Sequence, residues 1–169
     1  TYDRLDPSGL GGRIAALPEQ CNQAWKQASA LDLPVVYSKV SHVVVIGMGG
    51  SAIGGDLLAG LVELEHAPPV QVIRGYQLPS WIGSDTLVIA SSYSGNTEET
   101  LSAYREARSR GACLVAMTSG GILAKEAAVN ETPLFHIGYQ GEPRSAVGYS
   151  FLGPLAILCS LRLIEDATQ

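Results

Sequence analysis

The sequence contains few charged residues and no concentration of basic ones. Charged side chains make up 16% of the 169 residues, the 11 Lys and Arg residues are scattered, and the formal net charge is −5. A protein that binds nucleic acid through a basic face gathers Lys and Arg on that face. We therefore expect no nucleic-acid binding, although helix N-termini and backbone amides can bind a small anion without net positive charge.

Cysteine is scarce too, and its spacing does not indicate a metal site. Cys21, Cys113 and Cys159 are odd in number and far apart, and the sequence has neither a CxxC pair nor a cluster of His and Cys. Zinc sites use such clusters, so we expect no bound metal. We expect instead buried free thiols in a protein of a reducing compartment.

Secretory and membrane-spanning patterns are also missing. Residues 1–20 lack the apolar segment that signal peptides carry. The longest apolar stretch, near 151–164, is interrupted by Gly, Pro, Ser and Arg residues, which indicates a core helix rather than a membrane span. These observations predict a soluble, cytoplasmic protein that does not contact a membrane.

Apolar residues and glycine are abundant, and the apolar residues follow a regular alternation. After an N-terminal arm and helix over 1–40, short β-branched segments alternate with helical patterns. We expect strands near 42–46, 70–73, 85–90, 112–117 and 133–137. We expect helices from Pro18, around Ile53 to Val62, and over 97–110, 122–129 and 146–164. The main domain would span 41–164, with a tail at 165–169.

Strands that alternate with helices predict a parallel sheet inside a three-layer αβα sandwich. We expect the strand order 2-1-3-4-5, in which the first and third strands are neighbours and the topology reverses between them. Ligands bind at the carboxyl ends of strands at such a point. The loops after these two strands, 47–51 and 91–96, are rich in Gly and Ser, so the sequence predicts one crevice between them.

The first loop runs Gly47-Met-Gly-Gly-Ser51 and opens a helix. Its glycines allow a sharp turn and close approach of a ligand to the backbone, and Ser51 can cap the helix or donate its hydroxyl. The same string fits a loose dinucleotide fingerprint, so an NADP-binding domain is an alternative. A dinucleotide domain needs an acidic residue after the second strand for the ribose, and Arg74 stands there instead. An arginine could suit the phosphorylated ribose of NADP, so this alternative stays open. A P-loop is excluded because no Lys follows the glycines.

The second loop, Ser91-Ser-Tyr-Ser-Gly-Asn-Thr97, favours a different ligand. It carries four hydroxyl side chains just before a helix, and Asn96 and Glu99 have the spacing of a capping box. Hydroxyl donors that converge on a helix N-terminus suit a phosphate monoester. A dinucleotide-binding domain does not need these hydroxyl donors. The alternative interpretation without a ligand is a Ser-rich turn that caps the following helix.

Two strings resemble the signatures of the sugar isomerase (SIS) domain family. They are Val44-Val-Ile-Gly-Met-Gly-Gly-Ser-Ala-Ile-Gly-Gly-Asp56 and Ser91-Ser-Tyr-Ser-Gly-Asn-Thr-Glu-Glu-Thr100. The resemblance is greatest to the two-domain phosphoglucose/phosphomannose isomerases, and it includes Pro18-Glu-Gln20 and Pro143-Arg144. It implies a phosphorylated hexose as ligand, with no cofactor and no metal.

The resemblance also implies roles for particular residues. Three hydroxyl residues would hold the sugar phosphate: Ser92, Ser94 and Thr97. Three residues of the first loop would line the substrate crevice: Gly49, Gly50 and Ser51. Arg144 would face the sugar and stabilise a negatively charged cis-enediolate intermediate, a charge that needs a nearby donor.

The chain departs from this family in its length. Family members carry two such domains, and the second supplies a glutamate base, a ring-opening histidine and a lysine. The glutamates at 98, 99 and 142 match no family base. The three histidines are expected to be non-catalytic: His42, His66 and His136, the last in the core.

These features predict the N-terminal half of an isomerase that interconverts glucose-6-phosphate, and mannose-6-phosphate, with fructose-6-phosphate. Without the second domain it would be nearly inactive, because proton transfer supplies much of such catalysis. The alternative is a stand-alone phosphosugar-binding module. The apolar closing helix predicts pairing, either as a homodimer or with a second SIS domain.

Overall fold

A five-stranded parallel sheet forms the centre of the protein. The computed structural model describes residues 2–165. The strands are β1 (His42–Gly47), β2 (Val70–Ile73), β3 (Thr86–Ser91), β4 (Cys113–Thr118) and β5 (Leu134–His136). Their order in the sheet is β2-β1-β3-β4-β5 and every pairing is parallel, which confirms the predicted topology.

The three central strands are buried on both faces. Every residue of β3 and β4 is buried, as are all residues of β1 after His42. Sheets covered on both sides have continuous apolar strands of this kind rather than alternating ones. In the register of β1 and β3, Gly47 lies opposite Ser91, so the two strands end at the same level and their loops begin side by side.

Helices cover both faces of the sheet. They are α1 (Tyr2–Leu5), α2 (Leu10–Ala15), α3 (Leu17–Ser29), α4 (Gly50–Val62), α5 (Glu98–Ser109), α6 (Gly121–Val129) and α7 (Val147–Ser160). One face packs against α3, α4 and α7, and the other against α5 and α6. The arrangement is the predicted three-layer sandwich.

Helices α5 and α7 each end at a residue in the left-handed conformation. Helix α5 stops at Gly111, which takes φ +75° and closes the helix with bonds from Gly111 N–H and Ala112 N–H to the last turn. This confirms the predicted stop. Helix α7 ends at Ser160 and not at Ile164, because Arg162 takes the same left-handed conformation (φ +57°) and closes the helix in the same way. An arginine gives no sequence signal for this termination.

The N-terminal segment packs onto the domain. Helix α3 includes Pro18 in its first turn and lies against α7. Residues before it form α1 and α2, where the sequence predicted only a polar arm. The division at residues 40 and 164 stays a prediction, and residues 166–169 of the predicted tail lie outside the described part of the chain. Within residues 2–165, no helix is both long and apolar enough to cross a membrane.

The three thiols differ in exposure, whereas the sequence predicted that all would be buried. Cys113 on β4 is buried and burial raises its pKa, whereas Cys21 and Cys159 are partly exposed. Because the thiolate is the reacting species, we expect iodoacetamide to modify Cys113 at least about tenfold more slowly than the other two thiols. Intact mass spectrometry over time measures this, with Cys113→Ser as the control that removes the slow step. Three equal rates would contradict the buried position of β4.

Candidate functional site

The two Gly/Ser loops lie side by side at the carboxyl edge of the sheet. They follow β1 and β3, whose last residues are paired. One hydrogen bond connects them directly, since Tyr93 N–H donates to Ser51 Oγ at 3.2 Å. Ser51 therefore does not cap α4, whose N-cap is Gly49. Its hydroxyl proton stays available for a ligand.

The second loop presents a cluster of hydroxyl groups. The Oγ atom of Ser92 lies 2.9 Å from Oγ1 of Thr97 and accepts a bond from Gly95 N–H at 3.1 Å. Ser94 is exposed, and its Oγ accepts from Asn96 N–H at 3.2 Å. The structure pairs the hydroxyl groups of Ser92 and Thr97, and Ser94 lies between them in the same loop. Each of the three side chains carries a rotatable O–H donor, and their role as phosphate ligands stays a prediction.

The N-terminus of α5 opens toward this cluster. Thr97 is the N-cap, but its hydroxyl is paired with Ser92 rather than with the helix. The first helical bond is donated by Leu101 N–H to Thr97 O, so the N–H groups of residues 98–100 precede the hydrogen-bonded ladder. These N–H groups and the helix dipole favour an anion. The predicted capping box is wrong, because the Asn96 side chain accepts from Ile122 N–H of α6 instead.

A third loop, residues 118–121, packs against the second loop and restricts its conformation. A Cβ at Gly95 would overlap the carbonyl of Gly120 and lie 2.7 Å from Thr118 Oγ1. A Cβ at Gly121 would overlap the carbonyl of Ser94. Both glycines also have positive φ, +69° and +72°. This contact could not be predicted from the sequence, since the two glycines are far apart along the chain.

Beside the phosphate-binding candidates lies a pocket of about 510 Å³. It is lined by Gly49, Gly50, Ile53, Arg74, Arg144 and Val147. The pocket contains three of the predicted site residues, Gly49, Gly50 and Arg144. The hydroxyl cluster is outside its lining, and the Ser51–Tyr93 bond connects the residue after Gly50 with the residue after Ser92. Sequence analysis did not place Arg74 among these residues.

The segment that carries Arg144 packs closely against α4. A Cβ at Gly50 would lie 2.9 Å from Arg144 N, so this glycine is required for backbone contact between the two segments. Tyr93 fixes the same segment from the other loop, because its O–H donates to Tyr139 O (2.7 Å) and accepts from Gly141 N–H (3.2 Å). Arg144 itself is exposed at the pocket.

Gln20 supports this region from α3. Its side-chain Oε1 accepts from Gly148 N–H at 2.7 Å, and its Nε2 donates to Ser145 O at 3.0 Å. A buried amide that satisfies two backbone groups fixes the start of α7 just after Arg144. A polar residue at helical spacing from the apolar Ala24 and Ala28 was the sequence signal for this role.

The lining of the 510 Å³ pocket contains two guanidinium groups but no carboxylate or imidazole. Glu142 is near by, but it forms an ion pair with Arg13 at 3.2 Å. His42 is at the opposite end of β1, where it contacts Trp81 and Asp85. His136 is exposed, so the prediction that it lies in the core is wrong. Among residues 2–165, this pocket therefore offers donors and positive charge but no general base.

The fold and the two loops define a three-layer α/β domain with a candidate anion-binding site at the carboxyl edge of its sheet. The SIS domain family model matches residues 36–145, more than half of the chain. The protein belongs to the SIS domain family. This finding favours the phosphosugar interpretation of the glycine loop over the dinucleotide interpretation.

Individual relatives agree with this assignment. The chain is 46% identical over 149 residues to a bifunctional phosphoglucose/phosphomannose isomerase of Caldicellulosiruptor bescii, covering 88% of this chain and 44% of that protein. It is 35% identical over 155 residues to a D-glucosamine-6-phosphate 4-epimerase of Sulfolobus acidocaldarius, covering 89% and 45%.

A solved structure shows the same fold. A putative phosphosugar isomerase from Clostridium difficile superposes with a TM-score of 0.69 at 14% identity, covering 91% of this chain and 47% of that one. The chain therefore spans less than half the length of these three proteins.

Proposed function

We propose that this chain is the phosphosugar-binding N-terminal domain of an aldose–ketose isomerase. The enzyme would interconvert glucose-6-phosphate and mannose-6-phosphate with fructose-6-phosphate. The observation that carries the proposal is the hydroxyl cluster of Ser92, Ser94 and Thr97 at the N-terminus of α5. The name of the Caldicellulosiruptor bescii relative supports the reaction.

The phosphate would bind at the hydroxyl cluster. Three O–H donors and the N–H groups at the start of α5 match the acceptor oxygens of a phosphate monoester. Net negative charge on the protein does not oppose this, because the donors are local to one loop and one helix N-terminus. The substrate would be a charged phosphate ester, which cannot cross a membrane unaided, and this supports the predicted cytoplasmic location.

The sugar would extend from the phosphate toward Gly49, Gly50 and Ser51. In the isomerisation a base takes the proton from C2 of the aldose and returns it to C1, while the proton on the oxygen atoms moves from O2 to O1. The cis-enediolate between these steps carries negative charge. Arg144 lines the pocket and would stabilise that charge.

A second domain, or a partner, would supply the general base. The pocket lining within the described residues offers none, so the proposal requires one from outside. Pairing with a second SIS domain, in one chain or in a homodimer, would place that base against the pocket. The epimerase relative supports this division between a binding domain and a separate source of the base. A protein named for a different reaction matches this domain as well.

The test is a calorimetric titration of this chain with fructose-6-phosphate, with fructose and NADP as controls and an isomerase assay on the same sample. We expect binding that requires the phosphate and turnover close to the uncatalysed rate. Phosphate-dependent binding with full turnover would contradict the proposal that the general base comes from a second domain or a partner. Binding of NADP without any binding of fructose-6-phosphate would contradict the proposal as a whole.

A stand-alone binding module is the alternative. It predicts the same binding by this chain but no effect of a second domain. Adding the remaining domain of the Caldicellulosiruptor bescii relative as a separate chain distinguishes the two interpretations. Recovery of isomerase activity on mixing supports the isomerase.

A further inference from the structure

Arg74 is a second cation of the crevice whose position is fixed by the fold. It follows β2 directly and lines the same pocket as Gly49, Gly50 and Arg144. Its guanidinium pairs with the carboxylate of Asp56 on α4. Asp56 is not part of the pocket lining, so the carboxylate that pairs with Arg74 lies outside the pocket.

The segment after Arg74 is tethered to α5, the helix that begins at the hydroxyl cluster. Ser102 Oγ donates to Tyr76 O at 3.2 Å, and Leu78 N–H donates to Glu106 Oε2 at 3.0 Å. The Arg110 side chain donates to Pro79 O at 2.5 Å. The pKa of Tyr76 is raised by the nearby Glu99 and Glu98 carboxylates, so its phenol stays protonated. The chain that follows Arg74 is therefore fixed to α5 and restricts the backbone position of Arg74.

The charge of Arg74 suits sugar hydroxyl groups better than the phosphate. Asp56 offsets its positive charge, and the phosphate-binding hydroxyls are outside this pocket. A guanidinium has five N–H donors in a rigid fork, so the ion pair leaves donors available for a ligand. A donor of reduced net charge, fixed beside the glycine loop, matches the neutral oxygen atoms of the hexose.

We propose that Arg74 is a specificity-determining residue that donates hydrogen bonds to the hydroxyl groups of the sugar. The inference rests on the proposed function, because it assumes that the phosphate binds at Ser92, Ser94 and Thr97. Asp56 positions the guanidinium. Arg74 thus recognises the sugar, while the hydroxyl cluster recognises the phosphate.

The experiment compares Arg74→Gln and Asp56→Asn with the unmodified chain. Calorimetry measures binding of fructose-6-phosphate and of inorganic phosphate, a probe without sugar hydroxyls. We expect R74Q to weaken fructose-6-phosphate binding by about tenfold and to leave phosphate binding within about twofold, because hydrogen bonds from a charged donor are lost only in the sugar complex. Because Asp56 positions the guanidinium and the Asn oxygen can still accept from Arg74, we expect D56N to weaken fructose-6-phosphate binding by an intermediate factor of about three and to leave phosphate binding unchanged.

The outcomes separate this inference from the proposed function. If the unmodified chain binds fructose-6-phosphate and R74Q binds it equally well, Arg74 does not contact the sugar. If R74Q weakens the binding of both ligands equally, Arg74 acts through structure or general charge, and the inference is overturned. The inference is also overturned if D56N weakens fructose-6-phosphate binding as much as R74Q does. If the unmodified chain binds neither ligand, the proposed function itself fails. Both side chains are roughly half exposed, and such pairs contribute little to folding, so thermal melts should show all variants folded.

Discussion

Replacing Gly54 with alanine is expected to destabilise this protein strongly. Gly54 is buried where α4 crosses α7, and an added Cβ would overlap the Ser150 carbonyl and lie 2.7 Å from Phe151 N. Backbone atoms cannot rotate away, so the two helices must separate. We expect a loss of at least about 3 kcal/mol in the free energy of unfolding.

Thermal and urea unfolding measure this change. For a domain of this size the expected fall in melting temperature is about 6–12 °C. The matched control is Gly60→Ala on the same helix, which is exposed and has no atom within 4 Å of an added Cβ. Alanine is the better helix former there, so Gly60→Ala should raise stability by about 0.5–1 kcal/mol. Changes of equal sign in the two variants would show that α4 and α7 do not pack as described.

Removing the hydroxyl groups of the second loop is expected to abolish most phosphosugar binding. Ser94→Ala and Thr97→Val each delete one donor to an anionic ligand. A hydrogen bond to a charged group is worth about 1.5–3 kcal/mol, so each should weaken fructose-6-phosphate binding by roughly 10- to 100-fold. The same calorimetric titration measures the effect.

The variants should differ in stability although they agree in binding. Ser94 is exposed, so Ser94→Ala should leave the melting temperature nearly unchanged. Ser92 is buried and accepts Gly95 N–H, so Ser92→Ala should also destabilise the loop by about 1–3 kcal/mol. Ser109→Ala, at the other end of α5, is the control with unchanged binding. Unchanged binding in Ser94→Ala and Thr97→Val together would place the phosphate elsewhere.

Most of the sheet was predictable because its signals are local. Runs such as Val43 to Ile46 have β-branched residues that suit buried parallel strands, and Gly111 ends its helix through its own backbone freedom. The hydroxyl cluster was predictable for the same reason, since Ser92, Ser94 and Thr97 are close neighbours in the chain. The order of the strands is one of the two common orders of doubly wound sheets, so the alternation narrowed the choice without deciding it.

Other features depended on contacts between distant segments. Asn96 had the spacing of a capping residue, yet it binds α6, and Ser51 accepts a bond from Tyr93 rather than capping α4. Arg162 ends a helix in the left-handed conformation, which an arginine does not predict. In each case a partner far along the chain, or the packing of the helix end, decided between local possibilities of similar energy.

The sequence by itself determined the alternation of strands and helices and the two Gly- and Ser-rich loops that follow the first and third strands. Local periodicity and turn chemistry set these features, and neither requires knowledge of distant residues. Only the tertiary structure decided that Gly54 must lack a side chain while Gly60 need not, and that Arg74 shares a pocket with Arg144. Both facts depend on how closely separate elements approach, which close packing fixes and a linear pattern does not record.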